Sequence, residues 1–169
     1  MVKRCLGRVA FSYEGALMGS NFTGILDAIE AISIDFSYGD DDYVISAQEW
    51  DKPRANINSF PTRIIAPLAT NPDGNSNKIS LGKRGSAEWI LSDVLLWRDL
   101  KSGRGIETDY PLLATYMQAY TNIMLENRLL LSSATITDVQ LTIVTHNHSN
   151  KDYSSVVAVL KILETFSYG

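Results

Sequence analysis

The stretch that decides the fold is DYPLLATYMQAYTNIMLENRLLLSSATITDVQLTIVTHNHSNKDYSSVVAVLKILETF, residues 109–166. Its first part repeats apolar side chains at helical spacing, which predicts an amphipathic helix over Asp109–Leu131. Two strand-like runs follow, Ala134–His146 and Tyr153–Phe166, the first alternating apolar with polar residues and the second rich in valine. This stretch therefore predicts a helix followed by a hairpin of two strands.

The rest of the chain adds a second helix and further strands. Ser20 or Asn21 can cap a helix whose apolar stripe runs from Phe22 to Ile32. We see no internal repeat or low-complexity linker in the 169 residues. We therefore predict one α+β domain, in which two main helices pack on a mixed or mostly antiparallel sheet. Three further runs are predicted to be strands: Tyr43–Trp50, Phe60–Leu68 and Ser86–Leu100.

Prolines and a polar run mark where this sheet is interrupted. Pro61 and Pro67 lack a backbone donor, which favours an edge position or strand ends for the residues between them. The run Asn71–Asn77, NPDGNSN, is the strongest turn signal in the chain. We expect it to be the tip of a hairpin whose second strand begins near Ile79. Residues 71–85 are then predicted to form one long loop.

Composition excludes several classes of protein. Fifteen Lys and Arg face nineteen Asp and Glu, giving a net charge of −4, and no basic cluster of the kind that holds DNA is visible. Cys5 is the only cysteine, so an intrachain disulfide and an all-cysteine zinc site are excluded. The start lacks the apolar core of a signal peptide, and no apolar run reaches the roughly 20 residues that span a bilayer. We expect a protein made in the cytoplasm without a membrane anchor, with residues 1–19 as an extended arm.

One spacing resembles a metal site. His146 and His148 stand two apart in a predicted strand, so both imidazoles can face the same side. A site needs more ligands, which Asp152 or Asp138 would have to supply. The same residues fit a polar hairpin turn, which is the reading we favour. A small metal-dependent hydrolase that uses His146 and His148 stays open as the alternative of another class.

Other candidate catalytic motifs are incomplete. The run GDDD at residues 39–42 lacks the spaced acids of a calcium loop and is predicted to be an exposed acidic turn. The run GKRG at residues 82–85 lacks the spacing of a phosphate-binding loop and is read as a basic loop. There is no Gly-x-Ser-x-Gly nucleophile motif. We therefore predict no catalytic residue, metal or cofactor.

The order of predicted elements resembles the tail terminator proteins of long-tailed bacteriophages. Two local features are similar as well: the entry into the helix, Asp109-Tyr110-Pro111 followed by Tyr116 and Tyr120, and the run Tyr153-Ser154-Ser155-Val156 that opens the last strand. The resemblance covers most of the chain by pattern, without a diagnostic motif. The corresponding stretches are Ser20–Ile34, Tyr43–Leu100, Asp109–Leu131 and Ala134–Phe166.

The resemblance implies an architectural role rather than an enzymatic one. Identical subunits, six by expectation, would close a ring that caps the tail tube and joins it to the neck or connector. DNA would pass through the lumen without specific binding, and the protein would reside in the virion. Neck, head-completion and tail tube subunits share similar architecture, so these positions remain alternatives.

The resemblance leaves open which residues make the contacts, and long polar loops are the first candidates because they usually carry recognition. Two such loops, Asn71–Gly85 and Lys101–Thr108, bear basic side chains in a chain of net negative charge. We expect them to meet acidic surfaces on a neighbouring subunit, the tube or the neck. The predicted contact residues are Lys78, Lys83, Arg84, Lys101 and Arg104.

Overall fold

The computed structural model describes residues 20–51, 60–68, 77–81, 84–100, 106–148 and 150–167. Its two helices and mostly antiparallel sheet form one compact domain, which confirms the predicted α+β class. A short 3₁₀ helix, Ile106–Thr108, precedes the second α-helix. The elements are α1 (Phe22–Glu30), β1 (Ile34–Tyr38), β2 (Asp41–Ile45), β3 (Thr62–Pro67), β4 (Lys78–Ser80), β5 (Arg84–Asp99), α2 (Tyr110–Glu126), β6 (Leu129–Leu131), β7 (Ala134–His148) and β8 (Lys151–Ser167).

The main sheet has the strand order β3-β5-β8-β7-β6, and β4 also pairs with β5. Its pairs are antiparallel, and β5, β7 and β8 are 16, 15 and 17 residues long. Alternate residues of these strands, such as Leu91, Leu95 and Leu160, face the two helices and form the core with them. The long hairpin β7–β8 confirms the two strands predicted at the end of the chain.

The predicted second helix runs five residues too far at its C-terminal end. It ends at Glu126, where the backbone N–H of Asn127 closes the last turn onto the carbonyl of Ile123. The leucines that follow, Leu129–Leu131, pair with the start of β7 as the edge strand β6. An apolar run beside a free sheet edge satisfies its backbone there, and this outweighs its helical spacing.

A hairpin precedes the main sheet, and its first strand, β1, was not predicted from the sequence. β1 and β2 pair only with each other among the described residues, and Gly39 turns the chain between them with φ of 64°. The strand predicted over Tyr43–Trp50 is wrong at both ends, because β2 spans Asp41–Ile45. The predicted exposed acidic turn is confirmed at Gly39 and Asp40, whereas Asp41 and Asp42, also exposed, already belong to β2.

The hairpin predicted around residues 71–77 is wrong. Strands β3 and β4 run in the same direction along β5, so together they form one interrupted edge strand. The chain leaves this edge after Leu68 and rejoins it at Asn77, and residues 69–76 lie outside the described part. Residues 71–85 are not one loop either, because β4 and the start of β5 lie within them.

The side chain of Asn77 closes the gap in that edge. Its Oδ1 accepts from the backbone N–H of Ile90 at 3.0 Å, and its Nδ2 donates to the carbonyl of Leu68 at 3.4 Å. Leu68 N in turn donates to Ile90 O at 2.9 Å. The amide of Asn77 thus supplies the donor and acceptor that an uninterrupted strand would present.

A buried ion pair joins the sheet to both helices. Arg63 on β3 and Asp93 on β5 have no exposed side-chain surface, and Nη2 of Arg63 lies 2.6 Å from Oδ2 of Asp93. The guanidinium also donates to the carbonyls of Ile29 and Ile32 at the end of α1. The hydroxyl of Tyr120 on α2 donates to Oδ2 of Asp93 at 2.8 Å. Four elements therefore meet at two charged side chains.

The other end of α1 is held by a second buried charge. Glu164 on β8 accepts hydrogen bonds from the hydroxyl of Ser20 at 2.7 Å, the backbone N–H of Asn21 at 2.6 Å and Nε1 of Trp89 at 2.9 Å. Asn21 itself caps the helix through Oδ1, which accepts from Gly24 N. An anion at a helix start and a cation at its end both suit the helix dipole.

We predict that Arg63→Met lowers the free energy of unfolding by about 3–5 kcal/mol, because Asp93 is left buried and unpaired. The double change Arg63→Met, Asp93→Leu should recover only part of that loss, since the hydroxyl of Tyr120 and the carbonyl of Ile32 lose the partners that the pair provided. Urea unfolding measures both. The control Lys161→Met breaks a half-exposed pair with Asp138 and should cost about 1 kcal/mol or less. Equal losses in Arg63→Met and the control would contradict the central role of the buried pair.

The two buried tyrosines of α2 give a matched comparison. Among the described residues the hydroxyl of Tyr116 has no hydrogen-bond partner, whereas that of Tyr120 donates to Asp93. We expect Tyr120→Phe to cost about 1–3 kcal/mol and Tyr116→Phe to be neutral or stabilising, measured by urea unfolding. A larger loss for Tyr116→Phe would show that its hydroxyl has a partner.

The same pair predicts how stability depends on alkaline pH. Burial, with the charge of Asp93 adding to it, raises the pKa of Tyr116 and of Tyr120 above the ordinary 10.0. The unfolded chain loses these protons above pH 10 while the folded chain keeps them. The stabilisation is therefore complete below pH 10 and declines as pH rises, by about 1.4 kcal/mol per pH unit for each tyrosine. Tyr116→Phe should halve that slope between pH 10 and pH 11.

Candidate functional site

The structure brings two of the predicted contact residues to one end of the sheet. Lys78 lies on β4 and Arg84 at the start of β5, and both side chains are exposed. Glu88 stands opposite Lys78 in the ladder, so this edge is not uniformly basic. The other three predicted contact residues, Lys83, Lys101 and Arg104, lie outside the described residues.

An open groove of about 600 Å³ lies beside Arg84. Five hydroxyl side chains and one guanidinium line it, so the groove is rich in hydrogen-bond donors, and none of its described lining residues is acidic. Its apolar wall is the ring of Phe166, which lies over Gly85: a Cβ at Gly85 would come 2.1 Å from Cε2 of the ring. The lining residues are Arg84, Gly85, Ser86, Ser132, Ser133, Thr165, Phe166 and Ser167.

Beside this groove β4 presents apolar side chains to solvent. Ile79 is 57% exposed, and Leu81, next along the chain, is 78% exposed. Within the described part of the chain β4 pairs with β5 alone, so its other edge leaves backbone donors and acceptors without a strand partner. Exposed edges of this kind are surfaces on which another chain can pair. We call Lys78, Arg84, Ile79, Leu81 and the groove together the basic end.

The opposite end of the molecule carries the hairpin β1–β2, which we call the acidic hairpin. Asp35, Asp40, Asp41 and Asp42 are all exposed on it. Ser37 Oγ donates to Oδ1 of Asp42 at 2.6 Å within the hairpin. Desolvation, together with the charge of Asp41, raises the pKa of Tyr43. The hairpin also exposes apolar side chains, with Tyr38 39% and Val44 68% exposed.

The segment that contains the acidic hairpin is acidic as a whole. Residues 20–51 contain eight of the nineteen acidic side chains and none of the fifteen basic ones. That segment therefore carries a net charge of −8, and the remainder of the chain carries +4. The sequence prediction named basic candidates for contact residues and did not identify this acidic segment, although the asymmetry is readable from the sequence.

The long strand β5 holds the two ends apart. The ring of Tyr43 on the acidic hairpin packs at 5.3 Å from that of Trp97, near the far end of β5. Arg84 opens the same strand. At about 3.3 Å per residue the thirteen steps from Arg84 to Trp97 span roughly 40 Å. The two charged surfaces are therefore at opposite ends of one rigid element.

The described geometry does not bring together the ligands that the alternative metal site would need. Asp152 stands opposite Asn147 in the ladder and its Oδ1 accepts from Asn147 Nδ2 at 2.9 Å, which places it on the other face of the hairpin from His146. Asp138 pairs with Lys161 at 3.5 Å, eight residues along the strand from His146. No group of three or more candidate ligands occurs in the described part of the chain.

The helices and the comparisons with known proteins assign no class to the chain. None of the helices in the described residues is both long and apolar enough to cross a bilayer. A scan against models of protein families matches none of them, and a search of curated proteins finds no significant match.

We predict that purified protein binds no stoichiometric Zn²⁺ or Mn²⁺. The paired change His146→Ala, His148→Ala should leave the metal content unchanged, because Asp152 and Asp138 do not converge on His146. Metal analysis by mass spectrometry after dialysis measures this directly. Stoichiometric metal that the double variant loses would favour the hydrolase instead.

Proposed function

We propose that this chain is a structural virion subunit, the tail terminator of a long-tailed bacteriophage. Identical copies form a ring, six by expectation, that caps the tail tube and joins it to the neck or connector. The order of elements supports the proposal. A helix, strands of a sheet, a second helix and a closing pair of long strands follow one another, as the resemblance requires.

The observation that carries the proposal is the separation of opposite charges at the two ends of β5. A surface of one sign repels its own copy, so symmetric pairing of two like ends is disfavoured. Where each copy's acidic end meets the basic end of the next copy, rather than two copies pairing reciprocally, the contact is heterologous, and repeated heterologous contacts either close into a ring or grow into a filament. A ring-forming subunit needs surfaces of this complementary kind.

The overall charge suits a ring through which DNA passes. The chain carries −4, and its acidic segment adds no basic side chain that would hold phosphates. Proteins that bind DNA without sequence preference depend on clustered Lys and Arg. A ring of this chain would therefore let DNA slide through its lumen.

The experiment combines the chain with the tail tube protein of the same phage. Electron microscopy should show rings at the ends of tubes, and native mass spectrometry should give their stoichiometry. If the protein is instead found within the tube or at the neck, it is a tail tube, neck or head-completion subunit. A monodisperse monomer that does not bind tail tubes would contradict the proposal.

A charge-reversal variant tests the contact residues within that assembly. Substituting Lys83, Arg84 and Arg104 by Glu should reduce the fraction of capped tubes while leaving the thermal midpoint nearly unchanged, because Arg84 is exposed, the other two belong to predicted polar loops, and charges at such positions contribute little to folding. The control substitutes Glu for Arg128 and Lys151, two exposed residues outside the basic end. Unimpaired capping by the triple variant would remove these residues from the interface.

A further inference from the structure

We infer that the tip of the acidic hairpin of one copy docks in the groove at the basic end of the next copy. The inference rests on the proposed assembly of identical subunits and names the two surfaces that meet. The acidic surface that the basic residues are expected to meet is then the hairpin of another copy of this chain.

Hydrogen-bonding chemistry matches across the proposed contact. The groove offers the guanidinium of Arg84 and the hydroxyls of five Ser and Thr side chains, all of which can donate. The hairpin tip offers the exposed carboxylates of Asp40, Asp41 and Asp42, which can only accept when ionised. Hydrogen bonds from hydroxyl and guanidinium groups to carboxylates are charge-assisted and short.

Apolar surface matches as well. Tyr38 and Val44 are exposed on the hairpin, and Ile79 and Leu81 are exposed beside the groove. Removing apolar side-chain surface from water is favourable by about 25 cal/mol per Å². Both surfaces combine charge with exposed apolar side chains. Docking would therefore bury the apolar side chains and pair the opposite charges.

Size and reach also fit. The hairpin narrows to the turn at Gly39 and Asp40, and the groove of about 600 Å³ lies in the range of pockets that hold a compact ligand. The groove and the hairpin of one copy lie roughly 40 Å apart along β5, so a copy cannot fill its own groove. The contact is therefore between copies, and in the proposed ring each hairpin docks in the groove of the next copy.

Two single-surface variants isolate the contact. The first, Asp40→Lys with Asp41→Lys, reverses the hairpin and leaves the basic end intact. The second, Lys78→Glu with Arg84→Glu, reverses the basic end and leaves the hairpin intact. A control, Asp51→Lys with Glu126→Lys, makes the same charge change as the first variant at exposed acids outside both surfaces.

Sedimentation velocity over a range of concentrations measures the assemblies. We expect the wild type and the control to self-associate, and each single-surface variant to associate about tenfold or more weakly. Mixing the two variants should restore association well beyond that of either variant alone, because the intact hairpin meets the intact basic end and the reversed hairpin is opposite in charge to the reversed basic end. A chain with all four substitutions should associate again, since its two charges are exchanged. Raising the salt concentration should weaken every one of these contacts.

The outcomes separate this inference from the proposed function. If mixed variants stay monomeric while the wild type associates, or if the hairpin variant associates like the wild type, the inference is wrong. Capping of tail tubes by that hairpin variant would leave the tail terminator role intact. Association through the acidic hairpin and the basic end, in a chain that never caps tubes, would support the inference and contradict the proposed tail terminator function. A wild type that is monomeric at every concentration, with or without tubes, would overturn both.

Discussion

The arrangement of this domain depends on the buried pair of Arg63 and Asp93. Neither side chain reaches solvent, so each charge is stable only because the other and its hydrogen-bond partners are in place. Those partners are the last carbonyls of α1 and the hydroxyl of Tyr120 on α2. The pair therefore fixes where both helices sit on the sheet. A purely apolar contact of the same area would tolerate sliding, whereas directed hydrogen bonds do not.

Buried charges also determine the position of the acidic hairpin. Helix α1 is held at its start by Glu164 and at its end by Arg63, so the sheet determines both its position and its direction. The hairpin follows α1 directly and packs against α2, where the ring of Phe36 meets that of Tyr116 at 5.7 Å. The acidic surface is thus placed by the core, at a defined distance from the basic end. A defined distance is what a repeated contact between identical copies requires.

The fold was predictable from sequence where the pattern was local. The alternation in β7 and the valines of β8 specified that hairpin, and Pro61 and Pro67 correctly assigned β3 to an edge. Interactions distant in sequence were not predictable. Asp93 broke an apolar alternation on β5, and that break was the one signal of a buried partner, but nothing local identified Arg63. For the same reason β3 and β4 were mistaken for a hairpin, because only their common register on β5 shows that they run in one direction.

The charges of this chain therefore divide into two kinds with different consequences. Arg63, Asp93 and Glu164 are enclosed by the core, where losing a partner is costly and substitution is constrained by stability. Lys78, Arg84 and the aspartates of the hairpin are exposed, where an isolated pair adds little to folding. Recognition at such surfaces has to come from several charges acting together with apolar side chains such as Tyr38 and Leu81. The scaffold can then stay constant while the two ends change with the partner they meet, provided that complementary ends change together.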